Sequence, residues 1–237
     1  MPNATALPYP LPLPESEPPR DCALCPRLAA FRAEIAEEFP DWWNAPVPAF
    51  GDPHAWLAIV GLAPGKHGAH RTGRPFTGDW AGDLLFATLD KFGLSSGTYE
   101  ARPDDGLRLN GAIIVNSVKC LPPQNKPTPA EINTCRSFLK AQVSALPKVR
   151  IVIALGRIAH ESFLRMEGKR LAENPFAHGA EHVLIGAETG PNNGPNRGLT
   201  LIDSYHCSRY NTNTGRLTAE MFENVFARAL ELRENAP

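Results

Sequence analysis

The sequence predicts an α/β protein of three layers, α/β/α, around a central, mostly parallel sheet of four strands. Two observations favour this class. Four short apolar runs have the length and composition of buried strands, at residues 56–60, 112–115, 150–155 and 199–202. Segments with helical periodicity alternate with these runs, which is the order that places helices on both faces of a parallel sheet.

Composition bounds the organisation of the chain. With 237 residues, 43% of them apolar, the chain can bury the core of one large α/β domain, which we assign to residues 20–237. Residues 1–19 contain seven prolines and almost no helical pattern. They are therefore predicted to form an extended, proline-rich tail that lies on the surface or is disordered and has no chemistry of its own.

Charge and hydropathy exclude several classes of protein. The formal net charge is −1, so any affinity for nucleic acid must come from a local basic patch. No apolar run is long enough to span a membrane, and the amino terminus does not have the pattern of a signal peptide. We expect a cytoplasmic protein with reduced thiols.

The first motif is the CxxC pair of Cys22 and Cys25. Such a pair occurs in redox sites, zinc sites and iron–sulfur sites. A redox pair opens a helix that follows a strand, whereas a proline-rich segment comes first here, which disfavours the redox interpretation. The next element is predicted to be an amphipathic helix over residues 27–39.

A glycine-rich loop follows the first strand and runs from Gly61 to Asp79 with the sequence GLAPGKHGAHRTGRPFTGD. Basic and imidazole side chains crowd its centre without an acid: Lys66, His67, His70, Arg71 and Arg74. A shaped basic loop at the carboxyl end of a strand suits an anion, and the alternative is a mobile basic surface loop. The loop matches neither the Walker motif nor the dinucleotide-binding fingerprint.

The remaining elements are predicted from helix caps and short apolar runs. One helix begins near Trp80, and a second begins at the capping box of Thr128 and Glu131. A short additional strand is predicted at residues 182–185. Thr218 caps the last helix.

Three of the predicted strands end in polar segments. They end near Val60, Val115 and Ile202, and in an open α/β sheet the ligand lies beyond the carboxyl ends of the strands. We therefore expect one pocket from all three segments. Its predicted residues are Phe76, Asp79, Asn116, His206, Lys66, Arg71, Arg74, Lys119, Ser208, Arg209, Asn211 and Arg216.

These residue types suit a nucleobase within a polynucleotide. An aromatic ring and an amide bind the face and the edge of a planar heterocycle, and basic groups bind phosphates. A carboxylate and a histidine provide charge or proton transfer. The zinc-deaminase signature is absent from the sequence, which argues against deamination. Cleavage or modification of a base is the predicted chemistry.

Three long motifs closely resemble one family. They are GLAPGKHGAHRTGRPFTGD, then NSVKCLPPQNKPTPAEINTC with FLKAQ and IVIALG, then HCSRYNTNTGRLT. From Cys22 to the final helix the chain resembles the type B (family five) uracil-DNA glycosylases. The resemblance implies the uracil-DNA glycosylase fold and hydrolysis of the N-glycosidic bond of uracil flipped out of DNA, the first step of base-excision repair. Hypoxanthine and xanthine are implied as further substrates, double-stranded and single-stranded DNA as partners, and a monomer as the active form.

The resemblance also implies a [4Fe–4S] cluster. Cys22, Cys25, Cys120 and Cys135 match the family's ligand positions. A structural zinc is the alternative, because thiolates alone do not select the metal. Taken by itself, Cys135 lies on an apolar helical stripe and reads as an ordinary core residue. Cys207 is expected to be a free thiol.

By the same resemblance, each pocket residue has an expected role. Phe76 stacks on the flipped base, Asn116 hydrogen-bonds the edge of the base, and His206 stabilises the anionic base as it leaves. Gly61 and Ala63 border the base. The alternatives are a structural histidine at His206 and a strand-end cap at Asn116.

Asp79 is predicted to orient or activate water, or to stabilise positive charge on the sugar. Other branches of the superfamily have a polar or acidic residue where this chain has Ala63, so the acid must come from elsewhere. The alternative role of Asp79 is a helix cap. DNA contacts are expected from basic and polar residues around the mouth of the pocket: Lys66, Arg71, Arg74, Ser208, Arg209, Asn211 and Arg216.

Two other functions stay open at this point. The first is a nucleic-acid binding module without catalysis, against which the joint presence of Asp79 and His206 argues. The second is an iron–sulfur redox or sensor protein, a function that only the cysteines support.

Overall fold

The computed structural model describes residues 7–184 and 198–235. The strands, in chain order, are β1 Phe50–Gly51, β2 Leu57–Gly61, β3 Ser95–Ser96, β4 Arg108–Leu109, β5 Ala112–Asn116, β6 Ile151–Leu155, β7 Glu181–Leu184 and β8 Leu199–Ser204. The helices are α1 Pro26–Glu38, α2 Ala69–Thr72, α3 Trp80–Lys91, α4 Pro129–Ser144, α5 Arg157–Met166, α6 Arg209–Asn213 and α7 Ala219–Glu234. Short 3-10 helices occupy Pro14–Ser16, Pro123–Asn125 and Leu171–Glu173.

The main sheet of the described residues has six strands in the order β1-β5-β2-β6-β8-β7. Its four inner strands are parallel, whereas β1 and β7 pair antiparallel at the two edges. The predicted α/β/α fold with a mostly parallel sheet is confirmed, but the number of strands is six rather than four. The sequence pattern missed β1 because it is only two residues long. β7 covers the strand predicted at 182–185, of which residue 185 lies outside the described part.

The inner strands are covered on both faces. Every residue of β2, β5 and β6 is buried, which explains their continuous apolar composition. Leu57 and Ile59 pack with residues of α3 and α7, while Ala58 and Val60 pack with residues of α4 and α5. The sheet therefore presents only its strand ends to a ligand. None of the described helices is both long and apolar enough to cross a membrane.

The predicted helix starts agree with the structure. Thr128 accepts a hydrogen bond from the backbone N–H of Glu131 at 3.3 Å, and Glu131 accepts one from the backbone N–H of Thr128 at 2.7 Å. This is the reciprocal capping box. Thr218 caps α7 by accepting from the N–H of Met221 at 3.1 Å.

The described part of the predicted tail packs against the domain. The hydroxyl of Tyr9 donates to the carbonyl of Gly73 at 2.7 Å, Leu13 is buried, and Glu17 hydrogen-bonds two distant partners. The expectation of a tail that is disordered or merely lies on the surface is therefore wrong for these residues. Prolines disfavour a helix or a central strand, but they are compatible with an ordered coil that packs through the side chains between them. Residues 1–6 lie outside the described part.

Candidate active site and cysteine cluster

A cavity of about 350 Å³ opens at the carboxyl ends of the parallel strands. The loop after β2, the end of β5 and the segment after β8 all contribute to it, so the three predicted segments do converge. The residues that line the cavity are Leu62, Ala63, Gly65, Ala69, Phe76, Asp79, Trp80, Ala81, Asn116, Asn125, His206, Ser208 and Arg209. Gly61 lies just behind this wall, because a Cβ at this position would meet the side chains of Asn116 and Phe76.

Phe76 is held in an unusual conformation. Its φ of 53° lies in the left-handed region, which residues with a side chain seldom adopt outside constrained sites. The hydroxyl of Tyr99 donates to its carbonyl at 3.2 Å, and a Cβ at Gly82 would lie 1.9 Å from the same oxygen. Glycine at 82 therefore allows α3 to approach the loop. The ring of His206 lies 5.8 Å from the Phe76 ring, with the planes 26° apart.

Asn116 is buried at the end of β5 and faces the cavity. Its side-chain Oδ1 is buried without a hydrogen-bond partner among the described residues. Leaving such an atom unpaired costs about 1–3 kcal/mol, so the amide oxygen suits a ligand that donates a hydrogen bond. Its backbone carbonyl accepts from the ammonium of Lys119 at 2.6 Å. Gly61 leaves room for the amide, since a Cβ there would lie 2.4 Å from Oδ1.

Asp79 is a helix cap and a cavity residue at the same time. Its Oδ1 accepts from the backbone N–H of Gly82 at 3.3 Å and caps α3. Its Oδ2 lies against the glycine loop, because a Cβ at Gly68 would be 2.3 Å away and one at Gly65 would be 3.2 Å away. Burial raises the pKa of Asp79, and hydrogen bonds from the N–H groups of Gly82 and Ala81 oppose that rise. In the described lining, Asp79 is the sole carboxylate.

His206 is half-buried in the cavity wall. Burial lowers the pKa of its imidazole to about 4, so the ring is neutral near pH 7. A neutral imidazole can donate a hydrogen bond to an oxygen on which negative charge develops. The side chain of Asn211 donates to the carbonyl of His206 at 2.8 Å, and Ser208 caps α6 through the N–H of Asn211 at 3.4 Å. Ser208 and Asn211 thus hold the segment in which His206 lies.

Arg74 is not available to DNA, and its prediction as a DNA-binding residue is wrong. Its guanidinium is buried and donates to both carboxylate oxygens of Asp105 at 2.7 Å. Its Nε donates to the hydroxyl of Thr77 at 2.7 Å. The basic composition of the loop did not reveal this burial, because the partner lies on a different segment.

The other predicted basic residues are accessible to different degrees. Arg209 lines the cavity, with its guanidinium 5.5 Å from the Trp80 ring, and Arg216 is exposed beside Tyr205. Arg71 is exposed. Lys66 is half-buried and pairs with Glu38 at 3.4 Å, a contact that contributes little at the surface. Of these four side chains, Arg209 belongs to the cavity lining, whereas Lys66, Arg71 and Arg216 lie outside it.

Two cavity residues with large or polar side chains, Trp80 and Asn125, are not among the predicted site residues. Trp80 is 49% exposed, lines the cavity, and donates its indole N–H to the hydroxyl of Thr212 at 3.1 Å. The sequence marked Trp80 only as a helix start. Asn125 also lines the cavity, with a φ of 57°. Its place between prolines was the available signal, because asparagine tolerates left-handed turn positions.

A buried polar cluster supports the end of β8. Asp203 contacts His160 Nδ1 at 2.6 Å through one oxygen and His182 Nε2 at 3.0 Å through the other. The second ring nitrogen of His160 lies 3.0 Å from the carbonyl of Asn174. The three ligand atoms are close enough to share a metal ion, but each already has a hydrogen-bond partner. The cluster therefore acts as a structural anchor three residues before His206.

The four predicted cluster cysteines line a second, smaller cavity: Cys22, Cys25, Cys120 and Cys135. Apolar side chains surround it, including Leu28, Val118 and Phe138. Two N–H groups point at sulfur atoms, from the Lys119 backbone to Cys135 at 3.3 Å and from Arg32 to Cys120 at 3.4 Å.

The chemistry of this second site fits an iron–sulfur cluster. Four thiols, an apolar shell and N–H donors to sulfur are the features that hold and tune such clusters, although four thiols also fit zinc. Cys207 is buried elsewhere, and its thiol donates to the carbonyl of Ala81 at 3.4 Å. It does not contribute to the four-cysteine site.

The fold and the two sites together define a class: an α/β protein with a base-sized pocket at the strand ends and a four-cysteine site near it. The family model of the uracil DNA glycosylase superfamily matches residues 48–230. The type-5 uracil-DNA glycosylase of Thermus thermophilus is 47% identical over 216 residues, covering 89% of this chain and 93% of that relative.

Two further relatives give the same result. The type-5 uracil-DNA glycosylase of Pyrobaculum aerophilum is 39% identical over 213 residues, covering 88% of each chain. That of Mycobacterium tuberculosis is 40% identical over 219 residues, covering 89% of this chain and 78% of the relative. The chain belongs to the uracil DNA glycosylase superfamily and, within it, to the type-5 family. This confirms the resemblance of the three motifs to the type B (family five) uracil-DNA glycosylases, which are the type-5 family.

Proposed function

We propose that this protein is a uracil-DNA glycosylase, which hydrolyses the N-glycosidic bond of uracil flipped out of DNA. Membership of the type-5 family supports this activity. The observation that carries it is the meeting of Phe76, Asn116, Asp79 and His206 around one cavity of about 350 Å³. Such a cavity can take a single base that has left the stack.

Three side chains act on the base. The ring of Phe76, fixed by its backbone conformation, stacks on the face of the uracil. The unpaired amide oxygen of Asn116 accepts an N–H from the edge of the base. His206, neutral at pH 7, donates a hydrogen bond to a base oxygen as negative charge builds up on it.

Asp79 acts on the sugar side. The bond from C1′ to the base nitrogen breaks, and its electron pair leaves with the base. The oxygen of a water molecule forms the new bond to C1′, and Asp79 accepts the water proton. The carboxylate also stabilises positive charge on the sugar. The cap contact with Gly82 fixes its orientation, which leaves Oδ2 for this role.

The range of bases and the contacts with DNA are finer parts of the proposal. Ala63 places a methyl group, and no acid, in the cavity wall, which supports acceptance of hypoxanthine and xanthine beside uracil. Exposed Arg209, Arg216 and Arg71 contact phosphates of double-stranded or single-stranded DNA. The enzyme acts as a monomer, since one pocket serves one lesion.

A [4Fe–4S] cluster on Cys22, Cys25, Cys120 and Cys135 completes the proposal. When bound, the cluster provides a covalent cross-link between the amino-terminal segment, the segment after β5, and α4. The chain itself provides the apolar shell and the N–H groups that point at the sulfur atoms. Cys135 lies in α4, so the same helix serves the core and the cluster.

The test is single-turnover release of the base from a duplex with uracil opposite guanine. Wild type should release uracil, and Asp79→Ala and His206→Ala should each be slower by at least about 100-fold, or about 2.7 kcal/mol of barrier. Asp83→Ala, an exposed acid in the first turn of the same helix, is the matched control and should act like wild type.

Two outcomes would contradict the proposal. If wild type binds the DNA but releases neither uracil, hypoxanthine nor xanthine, the protein is a binding module without catalysis. If Asp79→Ala retains nearly the full rate, Asp79 is only a cap, and the base side of the pocket carries the catalysis.

A further inference from the structure

The proline-rich amino-terminal segment reaches the base pocket through a chain of buried hydrogen bonds. We propose that Glu17 is a positioning residue for Asn116, acting through Gln142 and Lys119. The proposal rests on the uracil-DNA glycosylase function given above, because Asn116 is the residue that binds the base edge.

The contacts form one continuous chain. The ammonium of Lys119, which is 1% exposed, donates to the backbone carbonyl of Asn116 at 2.6 Å and to Oε1 of Gln142. The amide nitrogen of Gln142 donates to Oε2 of Glu17 at 2.8 Å. The remaining oxygen of Glu17 accepts from the backbone N–H of Ala49 at 2.9 Å. Every member has its partner within the protein.

Charge explains why a carboxylate is required at position 17. An ammonium group removed from water is costly unless an opposite charge and hydrogen bonds compensate it. The two oxygens that Lys119 contacts directly belong to a neutral carbonyl and a neutral amide. Within this hydrogen-bond chain, Glu17 provides the negative charge that acts on Lys119, and the Cys135 sulfur beside the Lys119 backbone acts in the same direction from outside the chain. The counter-charge that this chain supplies to the buried Lys119 thus comes from the amino-terminal segment.

The direction of each hydrogen bond makes the network testable. Gln142 must present its oxygen to the ammonium and its NH₂ to the carboxylate, since the opposite orientation sets donor against donor. In Glu17→Gln, the new NH₂ group faces either the N–H of Ala49 or the NH₂ of Gln142. One donor is therefore left without an acceptor in either orientation, and the counter-charge is removed with almost no change of shape.

The double variant Glu17→Gln, Gln142→Glu restores every contact with the charge moved by one position. The new amide at position 17 accepts from the N–H of Ala49 and donates to the new carboxylate at position 142. That carboxylate accepts from Lys119 through its other oxygen. A purely steric role of Glu17 predicts instead that Glu17→Gln alone already behaves like wild type, because glutamine has almost the same shape.

The experiment compares wild type, Glu17→Gln, the double variant and Glu15→Gln, an exposed acid of the same segment. We expect Glu17→Gln to lower the single-turnover rate at saturating enzyme by at least about 10-fold per folded molecule, while the concentration for half-maximal rate stays unchanged. The double variant should return to within about 3-fold of wild type, and Glu15→Gln should equal wild type. The two thresholds correspond to about 1.4 and about 0.65 kcal/mol of barrier.

A second measurement does not depend on activity. Hydrogen exchange of the segment from β5 to Lys119 should be faster in Glu17→Gln and normal in the double variant, whereas β6 should be unchanged in both. If wild type is inactive, the proposed function fails, and this measurement still tests the link from Glu17 to Asn116.

Three results would overturn the inference. One is a Glu17→Gln variant with a lowered melting temperature but a normal rate per folded molecule, which would make Glu17 merely structural. Another is unchanged hydrogen exchange after β5. The third is a folded double variant that stays at least about 10-fold slow. If Glu17→Gln does not fold, the double variant decides: a wild-type rate supports the network, and a slow rate refutes it.

Discussion

The guanidinium of Arg74 and the carboxylate of Asp105 form two parallel hydrogen bonds of 2.7 Å in the interior of the protein. Both side chains are almost fully buried. The guanidinium also lies 5.0 Å from the Phe50 ring and 5.6 Å from the Phe86 ring. Because Phe76 is only two residues further along the loop, this ion pair braces the residue proposed to stack on the base.

Replacing Arg74 should destabilise the fold. Arg74→Ala leaves the carboxylate of Asp105 buried and unpaired, which we expect to lower the free energy of unfolding by about 3–5 kcal/mol. Denaturant unfolding measures the change. Arg71→Ala is the control and should stay within about 0.5 kcal/mol of wild type, because that side chain is exposed. A loss of DNA affinity in Arg74→Ala without a loss of stability would contradict this.

We expect the rate of base release to fall at low pH as Asp79 becomes protonated. Burial raises the pKa of Asp79 above its ordinary value of 3.8, so the carboxylate becomes protonated at a higher pH than an ordinary aspartate does. His206 stays neutral down to a pKa of about 4 and should add no limb near neutrality. A single-turnover pH profile measures the midpoint, which we expect above 3.8. A profile that is flat down to that pH, or one with a limb near 6.5, the ordinary histidine value, would count against these assignments.

Asp79→Asn should raise stability while it removes activity. The folded-state pKa of Asp79 is raised, so the favourable contribution of its protonated form is present below the unfolded pKa and is lost as the pH rises through the folded pKa. Asparagine carries no charge and still caps a helix. The variant should melt above wild type at neutral pH, and the difference should shrink at low pH. If Asp79→Asn and wild type melt at the same temperature at every pH, the buried carboxylate does not destabilise the fold.

Gly61→Ala should damage the pocket and spare the fold. The new Cβ would lie 2.4 Å from Oδ1 of Asn116 and 3.0 Å from the Phe76 ring, so the side-chain amide must move. We expect at least about a 10-fold slower single turnover, or about 1.4 kcal/mol of barrier. Gly198→Ala, where a Cβ meets nothing within 4 Å, is the matched control. A normal rate in a folded Gly61→Ala variant would show that the position of the amide is unimportant.

The four-cysteine site should lose its metal when one ligand is removed. Cys135→Ala should bind less than the about four irons per chain that a [4Fe–4S] cluster contains, whereas Cys207→Ala should retain them. Iron, labile sulfide and zinc analyses of the purified variants measure this. Zinc without iron in the wild-type protein would favour the structural zinc site. Full iron content in Cys135→Ala would remove Cys135 from the ligand set.

The sequence predicts the centre of this fold better than its edges. The inner strands are buried on both faces, so their residues are continuously apolar and easily found, and their polar ends mark the pocket. Strand β1 has two residues, too few for any periodic pattern. The sequence predicts both positions of Asp79 as alternatives, because a helix cap and a cavity residue can occupy the same place before a helix.

What the sequence could not predict depends on distant partners. Arg74 reads as one of several loop cations until Asp105, 31 residues later, is found beside it. Asp203 gives no sign of its contact with His160, which lies on another element 43 residues away. In both cases the tertiary structure buries a charged residue, and the local amino-acid composition does not predict this burial.

The hydrogen bond between Glu17 and Gln142 joins residues that are 125 positions apart. At about 5–20 residues per second, the ribosome makes Glu17 about 6–25 s before its partner. Cys22 and Cys25 are likewise synthesised well before Cys135. A nascent chain therefore cannot complete either the lysine network or the cysteine site until α4 has left the ribosome. The amino-terminal segment is rich in proline, so it cannot settle into a competing helix or central strand during that interval.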